Sequence, residues 1–182
     1  MPAYTQQQPQ HGYGGDHGSG RLDPNRLPPY ARALSTHNPL PPPNEVGYAA
    51  CSDTDGSPLF LVLVPHNGGL HPGKMVIRPG ANHPEIYFSY GGGEISHSGE
   101  YALVPFDPQR MHWVPASRSE VLYGARPVDA GYEEDGAPLH FALGIVNGGR
   151  VPGKAGRHLG GASVPYNGGE HHSEHPEILC WI

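Results

Sequence analysis

The apolar positions of this chain fall into short blocks punctuated by Gly, Pro, Asn and Asp. Leu59-Phe60-Leu61-Val62-Leu63-Val64 is a continuous apolar run whose length and β-branched content predict a strand buried on both faces. Shorter strands are predicted over 46–51, 75–77, 85–90 and 101–104, with turns at Asp53-Thr54-Asp55-Gly56, Pro79-Gly80 and Gly91-Gly92-Gly93. The order then replays: strands over 111–116 and 120–124, a turn at Glu133-Glu134-Asp135-Gly136, a long strand over 139–146, and strands over 162–166 and 178–182.

The replay is literal in places. A shift of 80 residues lays Asn67-Gly68-Gly69 and Pro72-Gly73-Lys74 on Asn147-Gly148-Gly149 and Pro152-Gly153-Lys154, with Asp55-Gly56 on Asp135-Gly136. Tyr90-Gly91-Gly92-Gly93-Glu94 matches Tyr166-Asn167-Gly168-Gly169-Glu170 at a shift of 76, so only loop length has changed between the copies. An internal repeat of this kind precedes every other reading. Strands this short do not stand alone as small sheets. Two units related by a pseudo-two-fold axis are therefore expected to form one compact all-β body, a β-sandwich or barrel-like core. The expected division is a flexible tail over 1–44, a first repeat over 45–112 and a second over 113–182.

Composition supports this picture. Gly (27) and Pro (22) exceed a quarter of the 182 residues, and each is costly inside a helix. Residues 1–44, with Gln6-Gln7-Gln8, Pro28-Pro29 and Pro41-Pro42-Pro43, bury too little apolar surface to offset their backbone entropy; only 30–34 offers a place to dock. A net charge of -6 with 11 Lys and Arg argues against nucleic acid or an anionic membrane as partner. No apolar run is long enough to span a bilayer, and the first ten residues carry no leader pattern, so a cytoplasmic protein, or one exported unconventionally, is expected. Cys51 and Cys180 fit no metal or disulfide spacing and read as free thiols.

The repeated loop carries the candidate chemistry. Gly68-x-x-x-x-Gly73-Lys74 and its copy imitate a phosphate loop, but Met75 and Ala155 stand where Ser or Thr must hold magnesium, and Pro72 and Pro152 interrupt it. What remains is a tight turn with a lysine beyond it, and a carboxylate-bearing turn about twenty residues upstream in each unit. A hairpin joining the two would bring Asp53 or Asp55 near Lys74 and Glu133 or Asp135 near Lys154, with Asn67 or Asn147 adding an amide. Fixed donors and acceptors in a shallow Gly-rich notch suit a vicinal diol. Turn geometry alone accounts for Asp-Gly and Asn-Gly, yet it does not require Lys after Pro-Gly twice; a shared ligand contact or a shared salt bridge does.

The segments Ala130-Gly131-Tyr132-Glu133-Glu134-Asp135-Gly136, Gly148-Gly149 to Lys154, His158-Leu159-Gly160-Gly161-Ala162 and Val164-Pro165-Tyr166 resemble the DM-nine repeat. Trp113-Val114-Pro115-Ala116 is similar to the opening of such a repeat, and Glu177-Ile178-Leu179 to its closing strand. The resemblance covers 46–182. It implies a mannose-recognising lectin whose site is the acidic residue of the first turn and the lysine of Pro-Gly-Lys, hence Asp53 or Asp55 with Lys74 and Glu133 or Asp135 with Lys154. No enzymatic activity, metal or other cofactor is implied, and dimerisation of the body would double the sites. The first unit departs from the pattern: it shows no Trp-Val-Pro-Ala opening before Val46, and Arg78-Pro79-Gly80-Ala81-Asn82-His83-Pro84 replaces His-Leu-Gly-Gly.

Two rival classes remain at this level. Glu170-His171-His172-Ser173-Glu174-His175 offers imidazoles for zinc, although Glu94-Ile95-Ser96-His97 does not repeat them. The other rival is an interaction module that binds proteins and no sugar. Nucleophilic catalysis has no Gly-x-Ser-x-Gly elbow and no base near either cysteine in sequence.

Overall fold

The computed structural model describes residues 20–121 and 124–182. Residues 1–19 of the expected tail, and residues 122 and 123 of the strand predicted over 120–124, lie outside the described residues; 124 is in a turn. The first part of the chain forms β1 (Arg32–Ser35), the short helix α1 (Pro43–Val46), β2 (Cys51–Ser52), β3 (Pro58–His66), β4 (Gly69–Val76), β5 (Glu85–Tyr90), β6 (Gly93–His97) and β7 (Glu100–Val104). The second part forms β8 (Met111–Ser117), β9 (Glu120–Val121), β10 (Arg126–Pro127), β11 (Asp129–Tyr132), β12 (Pro138–Val146), β13 (Gly149–Gly156), β14 (Gly161–Tyr166), β15 (Gly169–Ser173) and β16 (Glu177–Trp181).

Eight of these close into an antiparallel barrel in the order β4-β5-β6-β15-β14-β13-β12-β11, with β11 returning to β4 through Tyr132 opposite Leu70. Closure leaves no open edge among those eight strands. The strands β3, β7 and β1 extend from β4, and β16, β8 and β9 extend from β12. The apolar run recognised in the sequence is β3, buried from Leu59 to His66, as expected for a strand with side chains packed on both faces. A central cluster with Leu61, Leu63, Phe141 and Leu179 joins the halves; each half adds its own cluster, around Phe88 and Tyr101 in one and Val164 and Ile178 in the other.

The pseudo-two-fold relation is visible in register. Leu61 pairs with Lys74 across β3 and β4, and Phe141 pairs with Lys154 across β12 and β13, both displaced by 80 positions. The axis passes beside the Gly93–Gly169 pair. There the Glu94 amide donates to the Gly168 carbonyl and the Glu170 amide to the Gly92 carbonyl, each at 3.2 Å.

Two expectations change. Residues 20–44 were expected to be flexible; instead Arg32–Ser35 pairs with β7, Arg32 opposite Leu103. In the second unit β8 pairs with β16 with His112 opposite Cys180, so β1 takes the place in the first unit that β8 takes in the second. The first unit thus begins upstream of residue 45. An edge strand paired on one side tolerates the mixed sequence Arg32-Ala33-Leu34-Ser35, so its composition gave no warning. The predicted docking near residue 30 is present: the Tyr30 hydroxyl donates to the Asp129 carbonyl at 2.7 Å, and its ring meets Trp181 edge-on.

The second change concerns the repeated loop. Only Asn67-Gly68 and Asn147-Gly148 are turn residues, with φ of 46° and 75° in the first pair and 49° and 78° in the second, as a two-residue hairpin turn requires. From Gly69 and Gly149 onward the chain is strand, so Lys74 and Lys154 lie within β4 and β13 rather than at a turn exit. Pro72 is tolerated because β4 is there passing from its partner β11, at Leu70, to its partner β5, which begins at Lys74. Gly73 is required by close approach: a Cβ there would stand 2.6 Å from the Tyr87 carbonyl oxygen.

Candidate functional site

Lys74 and Lys154 are only 5% and 3% exposed, so each ammonium needs partners inside the fold. Lys74 Nζ lies 2.9 Å from Glu94 Oε2 and donates to the Pro165 carbonyl at 2.6 Å. Lys154 Nζ lies 3.3 Å from Glu133 Oε1 and 3.4 Å from His71 Nδ1. Each ammonium also sits beside a tyrosine ring, Tyr87 at 5.7 Å for Lys74 and Tyr90 at 5.3 Å for Lys154.

Above each lysine is an open notch, and each notch is built from both units. The first, about 250 Å³, has Asp53, Arg78, Tyr87 and Glu94 on its walls, and Tyr166 and Asn167 reach in from the β14–β15 turn of the other unit. The second, about 560 Å³, has Glu133, Asp135, His158 and Glu170 on its walls, with Tyr90 and Gly91 reaching in from the β5–β6 turn. Equivalent positions line equivalent places: Asp53 and Glu133, Arg78 and His158, Glu94 and Glu170, Tyr166 and Tyr90.

The glutamates at the notch floors tie the units together. Glu94 Oε1 accepts from the Gly168 amide at 3.1 Å, and Glu170 Oε2 accepts from the Gly92 amide at 2.6 Å. Each notch therefore has a carboxylate fixed by the backbone of the opposite half. Ser163 Oγ donates to Glu170 Oε1, and Ser89 Oγ donates to the Ser163 carbonyl at 3.1 Å, continuing the contact across the interface.

The predicted site residues meet these notches unevenly. Lys74 and Asp53 share the first notch but do not pair, because Arg78 intervenes with its guanidinium 3.3 Å from Asp53 and 2.7 Å from Asp55. Lys154 and Glu133 share the second and do pair. Asp55 and Asp135 hold their turns, each accepting a backbone amide at 2.9 Å, from Ser57 and Ala137 respectively. Asp135 also lines the second notch, whereas Asp55 lines neither. Asn67 and Asn147 are the turn residues of their hairpins, seven residues before the lysines, and are not among the residues lining either notch; Asn67 donates to the hydroxyl of Tyr90, which lines the second, at 3.3 Å. The residues not anticipated are Glu94 and Glu170, the rim pair Arg78 and His158, and the tyrosines. The repeated Tyr-x-Gly-Gly-Glu-type segment at the shift of 76 was the signal that points to the glutamates and to Tyr90 and Tyr166.

The second notch is also wired electrically. His71 is 1% exposed; burial, and then the neighbouring Lys154 charge, push its pKa down to about 4, so the imidazole is neutral at physiological pH. Its Nε2 donates to the His66 carbonyl at 3.3 Å, leaving Nδ1 to accept from Lys154. Burial raises the Glu133 carboxyl, but Lys154, His158 and His71 outweigh that and hold it below the usual carboxylate range. The imidazole-rich hairpin considered for zinc does not assemble a site: among the described residues no group of three or more His, Cys, Asp or Glu side chains is placed to hold a metal ion.

A closed body of two repeat units, each carrying a lysine–carboxylate notch completed by the other, defines a tandem-repeat β-barrel protein. The chain belongs to the DM9 repeat family, whose model matches residues 53–173. Among solved structures it is similar to the nematode sperm cell motility protein MFP2B, with a TM-score of 0.61 and 18% identity over 83% of this chain and 45% of that one. That likeness is one of fold, and this chain spans less than half of that protein's length. A comparison with curated proteins finds no match.

Proposed function

We propose that the chain is a metal-independent lectin that takes mannose-type saccharides in its two notches. The observation that supports this most is the twice-built constellation of a recessed lysine, a carboxylate and a tyrosine at the foot of an open hollow. An ammonium has three N–H donors. Two of those of Lys74 and two of those of Lys154 are satisfied by protein groups, leaving one of each for a ligand hydroxyl. A neighbouring carboxylate accepts from the adjacent hydroxyl of a vicinal diol, and the tyrosine offers an apolar face to the sugar ring.

Such a contact set is small, so affinity at one notch is expected on the order of millimolar, or about -4 kcal/mol. Two notches on one rigid body raise avidity for a polyvalent glycan by roughly 10² to 10⁴-fold. Glycan-array binding followed by titration with mannose and with a mannose polymer tests the reading, including in the presence of chelator. Absence of binding to any mannose-type glycan overturns it, and loss of binding in chelator overturns its metal independence.

A further inference from the structure

The two notches share a floor but differ in charge. The first carries Lys74 and Arg78 against Asp53 and Glu94, two cations to two carboxylates. The second carries Lys154 against Glu133, Glu134, Asp135 and Glu170, one cation to four carboxylates, with the imidazole of His158 in the place of the Arg78 guanidinium.

The difference has three sources: His158 stands in the place of Arg78, Glu134 in the place of Thr54, and Asp135 lines its notch whereas Asp55 does not. Arg78 spans the rim of the first notch, its Nη1 on Asp53 and Asp55 and its Nε 3.3 Å from Glu85. Among the described residues, the His158 ring pairs with Glu133 alone, at 3.1 Å. Glu134 makes no hydrogen bond or ion pair among the described residues, and Asp135 uses one oxygen on the Ala137 amide and has the other free. Carboxylates in a row define no site by themselves. Here they rim a hollow whose floor is the buried Lys154, already neutralised by Glu133, and whose far wall, Tyr90 and Gly91, is supplied by the other unit.

We propose that the second notch prefers saccharides bearing a protonated amine, the 2-amino-2-deoxyhexose class, over neutral hexoses, and that positions 134 and 158 together set this preference. This deepens the lectin reading and rests on it. An ammonium entering the rim meets Glu134 and Asp135 without displacing a protein cation, whereas in the first notch it would have to compete with Arg78. A low-dielectric concave wall focuses the field of the excess carboxylates, which favours a cationic ligand and disfavours a uronate or other acidic sugar.

The test is calorimetric titration of the full chain with mannose, mannosamine and N-acetylmannosamine at about pH 7, where a free amine is still largely protonated and an ordinary imidazole is largely neutral. The expected result is mannosamine tighter than mannose by about fivefold, a difference of one well-placed exposed charge pair, with parity restored by N-acetylation and by high salt. Glu134→Gln and His158→Arg are each expected to bring the mannosamine-to-mannose ratio back toward one while the thermal melt stays that of the parent. Equal binding of mannose and mannosamine by the parent chain overturns the preference and leaves the lectin reading standing. An unchanged ratio in both variants overturns the role of the rim. No binding of any of the three sugars overturns both readings together. A lysine methyl ester that binds as tightly as mannosamine overturns the saccharide class and makes the rim a receptor for cationic protein side chains.

Discussion

The two notches were built by repetition and then diverged in a particular place. Their floors agree: a lysine in the same register on the second strand of the hairpin, and a glutamate held by an amide from the opposite unit. Their rims disagree. Where the first has Thr54 and Arg78, the second has Glu134 and His158. The lysine changes partners accordingly, pairing with Glu94 in the first notch and with Glu133 in the second. Groups that face only the open hollow can drift without cost to the fold, while groups that also fix the junction of the two halves cannot. On the proposed lectin reading, selectivity then falls to the rim and competence to the floor.

The strongest way to break this comparison is to remove both floors. Lys74→Met with Lys154→Met keeps the apolar stems in the strands and deletes both ammonium groups. Binding of the chain to a mannose polymer is expected to vanish, and each single variant to lose most of the avidity, roughly 10² to 10⁴-fold. Surface plasmon resonance on an immobilised polymer reads this directly. Undiminished avidity in one single variant would show that its notch is not a binding site and that the two are unequal in kind.

The next effect separates the notches by pH. Because His71 is buried and neutral beside Lys154, the folded state resists a proton that the unfolded chain accepts. The unfolded chain binds more protons between the ordinary histidine pKa and the folded value of about 4, so stability is full above about 6.5 and falls as pH drops through that window, by roughly 3 kcal/mol in all. Denaturant unfolding of His71→Gln is expected to lose that slope, while Tyr87→Phe in the first notch keeps it. A smaller loss, about 2 kcal/mol at neutral pH, is expected for Glu94→Gln, which leaves the Lys74 ammonium the Pro165 carbonyl, the Tyr87 ring and a neutral amide oxygen in place of its carboxylate. Glu170→Gln retains a neutral acceptor for the Gly92 amide and is expected to cost nearer 1 kcal/mol.

How much of this was legible in the sequence follows from what repetition records. The shift of 80 placed β3 and β4 on β12 and β13 correctly, and with them both lysines, because a hairpin of fixed register transmits its spacing to the sequence. It did not reveal that Pro-Gly-Lys is strand, since Pro and Gly read as turn unless the gap between β11 and β5 and the approach of Tyr87 are known. Nor did it show that each notch borrows a turn from the other unit; a contact such as Gly168 to Glu94 joins residues 74 positions apart and leaves no local pattern. Asn67 and Asn147 were drawn into the site because an amide suits a sugar, whereas their left-handed φ values show that the turn itself selects them. The strand β1 escaped notice because an edge strand between proline clusters has little periodicity to display.

The smallest expected effect is the one that sharpens the comparison most. Arg78→Gln removes the guanidinium that occupies Asp53 and Asp55 and leaves the floor of the first notch untouched. Exposed ion pairs of this kind contribute little to stability, so the melting temperature is expected to move by no more than a few degrees. What changes is the rim: Asp53 becomes free to accept from a ligand, and the charge balance of the first notch shifts by one unit toward that of the second. In a Lys154→Met background, where only the first notch remains competent, Arg78→Gln is expected to raise mannosamine affinity by about twofold to fivefold without a matching gain for mannose. If mannose and mannosamine gain equally, Arg78 acts as a steric cover and charge does not distinguish the notches; if neither gains, the partners of Asp53 have no influence on the ligand and the rim is only scaffold.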